Sequence, residues 1–310
     1  MRPPRPMRIA VTGAGGLLGA TLCRKAIARG HDLVAYTRTT PTPLGAKTQF
    51  LDLTDRAATA TAFGRERVDV VIHTAGLTDV DECERNPGEA ERANVDATHS
   101  VVDAANAVGS RVVFVSTDYV FDGASGPYDE DAVPSPQSVY GTAKFAAERV
   151  VQDRSDAWAI ARTCVLLGWP RGPRENFATW AIGRFSRGEP VPLFRDQWVT
   201  TTHTRNAAAM ILEIAERGST GVWHAAGGEL ADRVAFGVAM CAEFGFSPDL
   251  IAPRDRASAG LAALRPGRAG LRTARAAREL TAQPWSLARA LRCLHDEWRG
   301  TEGGDDALEE

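Results

Sequence analysis

Lysine is nearly absent from this 310-residue chain: of its 36 basic residues only Lys25, Lys47 and Lys144 are lysines. Where arginine is the easy choice, a retained lysine is informative, because an ammonium and a guanidinium do different chemistry. Tyrosine is almost as scarce, at four. The five cysteines, Cys23, Cys83, Cys164, Cys241 and Cys293, are odd in number and scattered, with no C-x-x-C pair. That excludes a disulfide framework or a zinc knuckle, and they read as small buried residues in a reducing cytoplasm. No apolar run reaches the roughly 18 residues of a membrane span. A net charge of −3 gives no basic field for nucleic-acid phosphates. Met1 to Pro6 holds two arginines and three prolines with no apolar segment behind them, so it does not read as a signal peptide. The expectation is a cytoplasmic protein that acts on small molecules, with neither nucleic acid nor membrane as partner.

What is present is an ordinary globular composition, 44% hydrophobic and 24% charged, long enough for one large domain and a smaller lobe. Strand-like and helical periodicities alternate from the start. Arg8 to Thr12 reads as a strand, Leu17 to Arg29 as a helix ending at Gly30, and Leu33 to Tyr36, Gln49 to Leu51 and Val68 to His73 as further strands, with a short helix from Ala58 to Phe63. Glu89 to Val108 puts Ala90, Ala93, Ala97, Val101 and Ala105 on one helical face before Gly109, and Arg111 to Val115 is the next strand. A helix from about Ser138 to Asp153 leads into the strand Ala157 to Ala161. This alternation predicts an α/β, doubly wound parallel sheet of the Rossmann type.

After residue 165 the pattern loosens into a smaller C-terminal α/β lobe. Gly168, Pro170, Gly172 and Pro173 form a loop; helices follow near Ala178 to Ser186 and Arg205 to Arg217, and Gly221 to His224 can return to the sheet. Leu271 to Leu280 and Ser286 to Trp298 read as terminal helices. The expected division is a cofactor domain over 7-164 and a substrate lobe over 165-299, with flexible tails at 1-6 and 300-310.

Three segments carry chemistry. The first is Gly13-Ala14-Gly15-Gly16-Leu17-Leu18-Gly19, between the first strand and the first helix. Glycines at 13, 16 and 19 suit a tight turn and the close approach of a pyrophosphate to a helix N-terminus. The second is the end of the second strand, Tyr36-Thr37-Arg38-Thr39-Thr40, which lacks the acid that binds the ribose of NAD. A guanidinium among hydroxyls suits a 2′-phosphate, so NADPH (NADP) is the expected cofactor. Asp52 and Leu53 after the third strand, and Ala75, Gly76 and Thr78 after the fourth, complete the expected cofactor wall. His73 reads as a packed strand histidine.

The third segment is Ser116-Thr117-Asp118 at the fifth strand, with Tyr140 and Lys144 one helical turn apart further on. An ammonium beside a phenol favours phenolate and lowers its pKa, making Tyr140 a usable acid, while the Thr117 hydroxyl can bond the same carbonyl oxygen. Thr117, Tyr140 and Lys144 form the candidate catalytic set.

The run Ser116-Thr117-Asp118-Tyr119-Val120-Phe121-Asp122-Gly123, then Pro127-Tyr128, Pro136, Tyr140-Gly141-x-x-Lys144 and Glu148, resembles extended short-chain dehydrogenases/reductases, and among them the dTDP-4-dehydrorhamnose reductase family. Arg162-Thr163, Asn176-Phe177, Asp196-Gln197, Thr200 to Thr202 and Arg265-Pro266 continue the likeness from about 7 to 298. The resemblance implies reduction of a keto group on a nucleotide-activated, dTDP-linked 4-keto-6-deoxysugar. Tyr140 would be the proton donor, and Lys144 would tune Tyr140 and grip the nicotinamide ribose. Thr78, Thr117, Asp118, Tyr119, Val165, Asn176, Phe177 and Gln197 would hold the sugar nucleotide, and a homodimer is the expected assembly. No metal ligands are assigned. The chain departs from the family pattern at Cys164-Val165-Leu166-Leu167-Gly168, where aromatics are usual, and Thr201-Thr202 lacks the usual proline; both imply a reshaped sugar pocket. The alternatives are a sugar-nucleotide epimerase or dehydratase, against which stand the missing acid and the Tyr119 that follows Asp118, and a non-catalytic NADP-binding partner of methionine adenosyltransferase, which would not need the intact Thr-Tyr-Lys set.

Overall fold

The computed structural model of the chain describes residues 6–39, 47–170 and 175–300. Thr40, Gly172, Pro173 and nearly all of the two expected tails lie outside the described residues. In the first half, β1 (Arg8–Thr12) leads through the glycine turn into α1 (Leu17–Ala28), followed by β2 (Asp32–Thr37), β3 (Lys47–Phe50), α2 (Arg56–Glu66) and β4 (Val70–His73). Then come α3 (Val80–Arg85), α4 (Pro87–Glu91), α5 (Ala97–Ala107), β5 (Arg111–Thr117), α6 (Val139–Arg154) and β6 (Trp158–Thr163). The second half carries β7 (Leu166–Leu167), α7 (Phe177–Ser186), β8 (Val191–Phe194), β9 (Trp198–Val199), β10 (Thr202–His203), α8 (Thr204–Glu216) and β11 (Gly221–His224). It ends with β12 (Ala231–Asp232), α9 (Arg233–Phe244), β13 (Ile251–Arg254), α10 (Ala274–Glu279) and α11 (Leu287–Trp298).

Seven strands form one sheet in the order β11-β6-β5-β4-β1-β2-β3, and every neighbouring pair is parallel. A parallel sheet is covered on both faces, which is why its strands read as continuous apolar runs. On one face α1 and α8 pack in the cluster holding Ile9, Val11, Leu22, Ile211 and Trp223. On the other, Val34, Phe63, Val71 and Val101 tie α2 and α5 to the sheet, and Phe114, Ala147, Val151 and Ile160 do the same for α6. The lobe has a core of its own, where α7, α9 and α11 close on β8 through Ile182, Phe185, Leu193, Phe236 and Leu294. Strand order reverses between β1 and β4, and in doubly wound sheets ligands bind at the carboxyl ends beside such a reversal.

Two expected helices are corrected. Glu89 to Val108 is not one continuous helix: between α4 and α5 lies a wider π turn over Arg92–Asp96. Its extra residue brings Asn94, 1% exposed, to the inner face, while Ala93 is only half-buried. Leu271 to Leu280 is helical only over α10, because the backbone at 270–272 is engaged with Tyr128: Tyr128 N–H donates to Gly270 O and Arg272 N–H to Tyr128 O, both at 2.8 Å.

Candidate active site

The glycine turn is shaped by contacts that leave no room for side chains. Gly13 has φ +68°, where L-residues are strained, and a Cβ there would meet the backbone nitrogen of Ala75 at 2.8 Å. Gly19 sits against the Gly13 carbonyl. Gly16, Leu17 and Leu18 thus begin a 12-residue helix whose N-terminus opens at the sheet's carboxyl edge. Asn94, delivered by the π turn, lies against Gly76; its amide donates to Leu77 O and Ala90 O, and its buried oxygen has no hydrogen-bond partner among the described residues. A glycine cradle, a helix N-terminus and an unpartnered polar atom fit a dinucleotide. Arg38 follows β2 on the surface, and Asp52 beside it is held below the usual carboxylate range by the backbone and hydroxyl of Thr54, then by the Arg38 charge. Thr78 is an exposed residue just before α3, and Leu53 is buried beneath the edge. His73 is fully buried between Thr12 and Thr98, at 2.7 and 3.2 Å, and burial drops its pKa to about 3. It is a neutral strut.

Thr117 ends β5 and Tyr140 lies in the first turn of α6, which Ser138 caps. Gly141 permits this approach, since a Cβ there would collide with Tyr119 O. Tyr140 is 8% exposed and edge-on to Tyr119 at 5.5 Å, with the Thr117 side chain near its phenol. Burial raises the Tyr140 pKa above that of an ordinary phenol, Thr117 opposing. The expected lowering by Lys144 is therefore corrected. Lys144 does share the buried face of α6, but its Nζ donates to Val115 O at 2.8 Å and sits 4.0 Å over the Phe114 ring. Burial also lowers the Lys144 pKa to about 7, which weakens its pull on the phenol. One turn further on, Glu148 holds Arg162 of β6 through bonds of 2.9 and 2.7 Å, locking α6 to the sheet.

Asp118 is 2% exposed; one oxygen accepts from Thr117 Oγ1 at 3.2 Å and the other from Cys164 Sγ at 3.0 Å. Burial pushes its pKa up to about 6. Of the other expected substrate residues, Phe177 and Gln197 meet at one side chain that the sequence did not single out. Arg233, the first residue of α9, donates through Nε to Gln197 Oε1 at 3.0 Å and lies 4.4 Å over the Phe177 ring. Its charge bears on Tyr119, Cys164 and Asp118, it is 8% exposed, and its buried Nη1 has no hydrogen-bond partner among the described residues. In a chain with 36 basic residues, nothing in the sequence marked this arginine. Arg265 lines the same side, pairing with Asp81 at 2.8 Å and facing Tyr119.

Asn176 instead caps α7, accepting from the Ala178 and Thr179 amides while its own amide donates to Gly168 O at 2.7 Å. Val165 is half-buried against Val120, Phe121 and Leu271, with φ +34°. Leu167 is in the lobe core with Phe185 and Leu193 rather than in the Asp118 neighbourhood. His203, Cys293 and Glu297 bring metal-type donors within 4.8 Å of one another. His203 Nδ1 accepts the Arg205 amide at 3.1 Å, which puts the ring proton on Nε2, 3.4 Å from a Glu297 oxygen, and Glu297 takes Trp169 N–H and Arg205 Nε. A metal at Nε2 would have to reverse that tautomer.

A glycine turn at the switch point, with a threonine at the end of β5 and a tyrosine and a lysine four residues apart on α6, defines an extended short-chain dehydrogenase/reductase. The family model of the RmlD substrate binding domain matches residues 7–298. A dTDP-4-dehydrorhamnose reductase of Mycobacterium tuberculosis is 33% identical over 304 residues, covering 88% of this chain and 94% of that protein. A protein of Haloferax volcanii, "Probable low-salt glycan biosynthesis reductase Agl14", is 32% identical over 265 residues, covering 84% and 88%. Among solved structures, a Bacillus anthracis dTDP-4-dehydrorhamnose reductase in complex with NADP superimposes with a TM-score of 0.86, at 24% identity, over 94% of this chain and all of that one. The chain belongs to the RmlD family of dTDP-4-dehydrorhamnose reductase-like extended short-chain dehydrogenases/reductases. No helix among the described residues is long and apolar enough to cross a membrane.

Proposed function

We propose that the protein reduces the keto group of a nucleotide-activated 4-keto-6-deoxysugar with NADPH, Tyr140 giving the proton. The carrying observation is the buried Tyr140 phenol near the Thr117 side chain at the carboxyl end of β5, in the same parallel sheet whose β1 ends in the glycine turn. The cofactor, when bound, supplies the hydride. Gly13, Gly15, Gly16 and Gly19 with the amides opening α1 would receive its pyrophosphate, Arg38 its 2′-phosphate, and Lys144 its nicotinamide ribose. The elevated Tyr140 pKa suits this direction of reaction, because a phenol that stays protonated at neutral pH is ready to neutralise the oxyanion that forms. Burial of the phenol keeps competing water away. The lobe over 165–299 would hold the sugar nucleotide, with Phe177, Gln197, Arg233 and Tyr119 on its wall, although β11 and α8 serve the main sheet.

The test is NADPH oxidation, followed by absorbance, with dTDP-4-dehydrorhamnose and other nucleotide-linked 4-keto-6-deoxyhexoses. Tyr140→Phe is expected to lose about 10² to 10⁴ in rate with cofactor affinity nearly unchanged. A variant that keeps more than about a tenth of the rate, when chemistry limits turnover, removes Tyr140 from the role of acid.

A further inference from the structure

We propose that Asp118 is a positioning residue that decides, by holding or releasing a proton, whether the Thr117 hydroxyl can donate a hydrogen bond to the substrate carbonyl. The proposal rests on the reductase reading. A threonine hydroxyl has one hydrogen. Here it is spent on Asp118 Oδ1 at 3.2 Å, while a lone pair accepts the Tyr119 amide at 3.2 Å. An ionised carboxylate can only accept. As long as Asp118 is ionised, Thr117 therefore has no proton to offer a carbonyl oxygen, and its lone pair would face the oxygen's own. A proton on Oδ1 reverses the bond: Asp118 donates to Thr117 Oγ1, and the threonine hydrogen turns toward the cleft. No atom is transferred; one hydrogen bond changes direction.

The surroundings allow both forms. Asp118 is 2% exposed, and Cys164 Sγ, just after β6, donates to its other oxygen at 3.0 Å. The Cys164 and Thr117 hydrogen bonds favour the ionised form, as does the Arg233 guanidinium of α9. Burial outweighs them and carries the pKa to about 6, so substrate and pH can shift the proton.

The experiment is the pH profile of kcat/KM, from about pH 5 to about pH 9, with NADPH and dTDP-4-dehydrorhamnose. Lys144, with its pKa near 7, titrates in the same window, so variants assign the limbs. In Asp118→Asn the amide donates permanently to Thr117, and the ratio of variant to wild-type rate is expected to rise about tenfold per pH unit above the Asp118 ionisation. Cys164→Ala removes a donor to the carboxylate and is expected to move that limb to higher pH. A limb unmoved in both variants belongs to Lys144 and overturns the proposal; if Asp118→Asn does not fold, the Cys164→Ala shift alone decides. If no keto-sugar is reduced at any pH, the reductase reading fails, and the Thr117–Asp118 link is then tested by carbon NMR of aspartate-labelled protein. The buried carboxyl that titrates near pH 6 and moves in Cys164→Ala should move upward in Thr117→Val as well; no movement refutes the link.

Discussion

Glu148→Ala should be among the most damaging single substitutions in the first half of the chain, although Glu148 touches neither expected cofactor nor substrate. The carboxylate takes two bonds from Arg162, Nε at 2.9 Å and Nη2 at 2.7 Å, with side chains 0% and 3% exposed. Without it, the guanidinium keeps only a 3.4 Å bond to Glu130 O and the face of Phe121 at 5.1 Å. Removing one partner of a buried pair typically costs about 3 to 5 kcal/mol, because the other charge is left uncompensated. Glu148→Gln keeps the shape and one acceptor, so about 1.5 to 3 kcal/mol is expected, the worth of a charged hydrogen bond. Replacing both partners with apolar residues, as in Arg162→Met with Glu148→Leu, should recover most of the loss. Urea unfolding of the three proteins checks the order. The glutamate also raises the Lys144 pKa, so Glu148→Gln should push that group further below about 7. A Glu148→Ala protein within about 1 kcal/mol of wild type, or a double variant worse than the single, would refute this account of how α6 is held.

Other outcomes follow from the same contacts. NADPH should bind more tightly than NADH by roughly tenfold or more, the worth of one charged hydrogen bond to the 2′-phosphate, and Arg38→Asp should erase most of that preference; equal affinities in the native protein contradict the role of Arg38. His73 and His224, both brought by burial to a pKa of about 3 in the fold against 6.5 for a free imidazole, stay neutral in the fold while the unfolded chain takes up protons. Their contribution is complete above about pH 6.5 and is lost as pH falls toward 3, by up to about 1.4 kcal/mol per unit each; His73→Asn should flatten the acid limb of urea midpoints, and an unchanged slope counts against it. Arg233→Met should raise the KM for the sugar nucleotide while leaving stability equal or higher, since a buried guanidinium with an unpartnered nitrogen is replaced by an apolar chain of similar length; a lower urea midpoint with unchanged KM would make Arg233 purely structural.

The sheet was legible because its strands are short apolar runs punctuated by glycine: β1 and β11 fall on the residues expected, and β2, β4 and β5 within two. The lobe was less so. β8, β9, β12 and β13 are two to four residues long, too short for a period to show. α9 opens with Arg233 and carries Gly237 in its interior, where a Cβ would press on Leu193, and the sequence reading passed over it. The candidate site divides in the same way. Glycines, Thr117, Tyr140 and Lys144 are carried by local motifs. Arg233 and Cys164 approach Asp118 only through tertiary folding, 115 and 46 positions away along the chain, and no local spacing encodes that.

The costs in this structure gather where the two halves meet. Val165 is a β-branched residue with φ +34°, a conformation that costs of order 1 to 3 kcal/mol. Asp118 and Tyr140 are both raised by burial, Lys144 is lowered by it, and Arg233 and Asn94 each keep a buried polar atom without a partner among the described residues. Asn94 and Arg233 lie outside the seven-stranded sheet, whereas Lys144 also donates to Val115 O of β5. Selection for stability alone would remove such features. In the reading proposed above, Asn94 Oδ1 and Arg233 Nη1 are the buried atoms whose partners would come with cofactor and substrate.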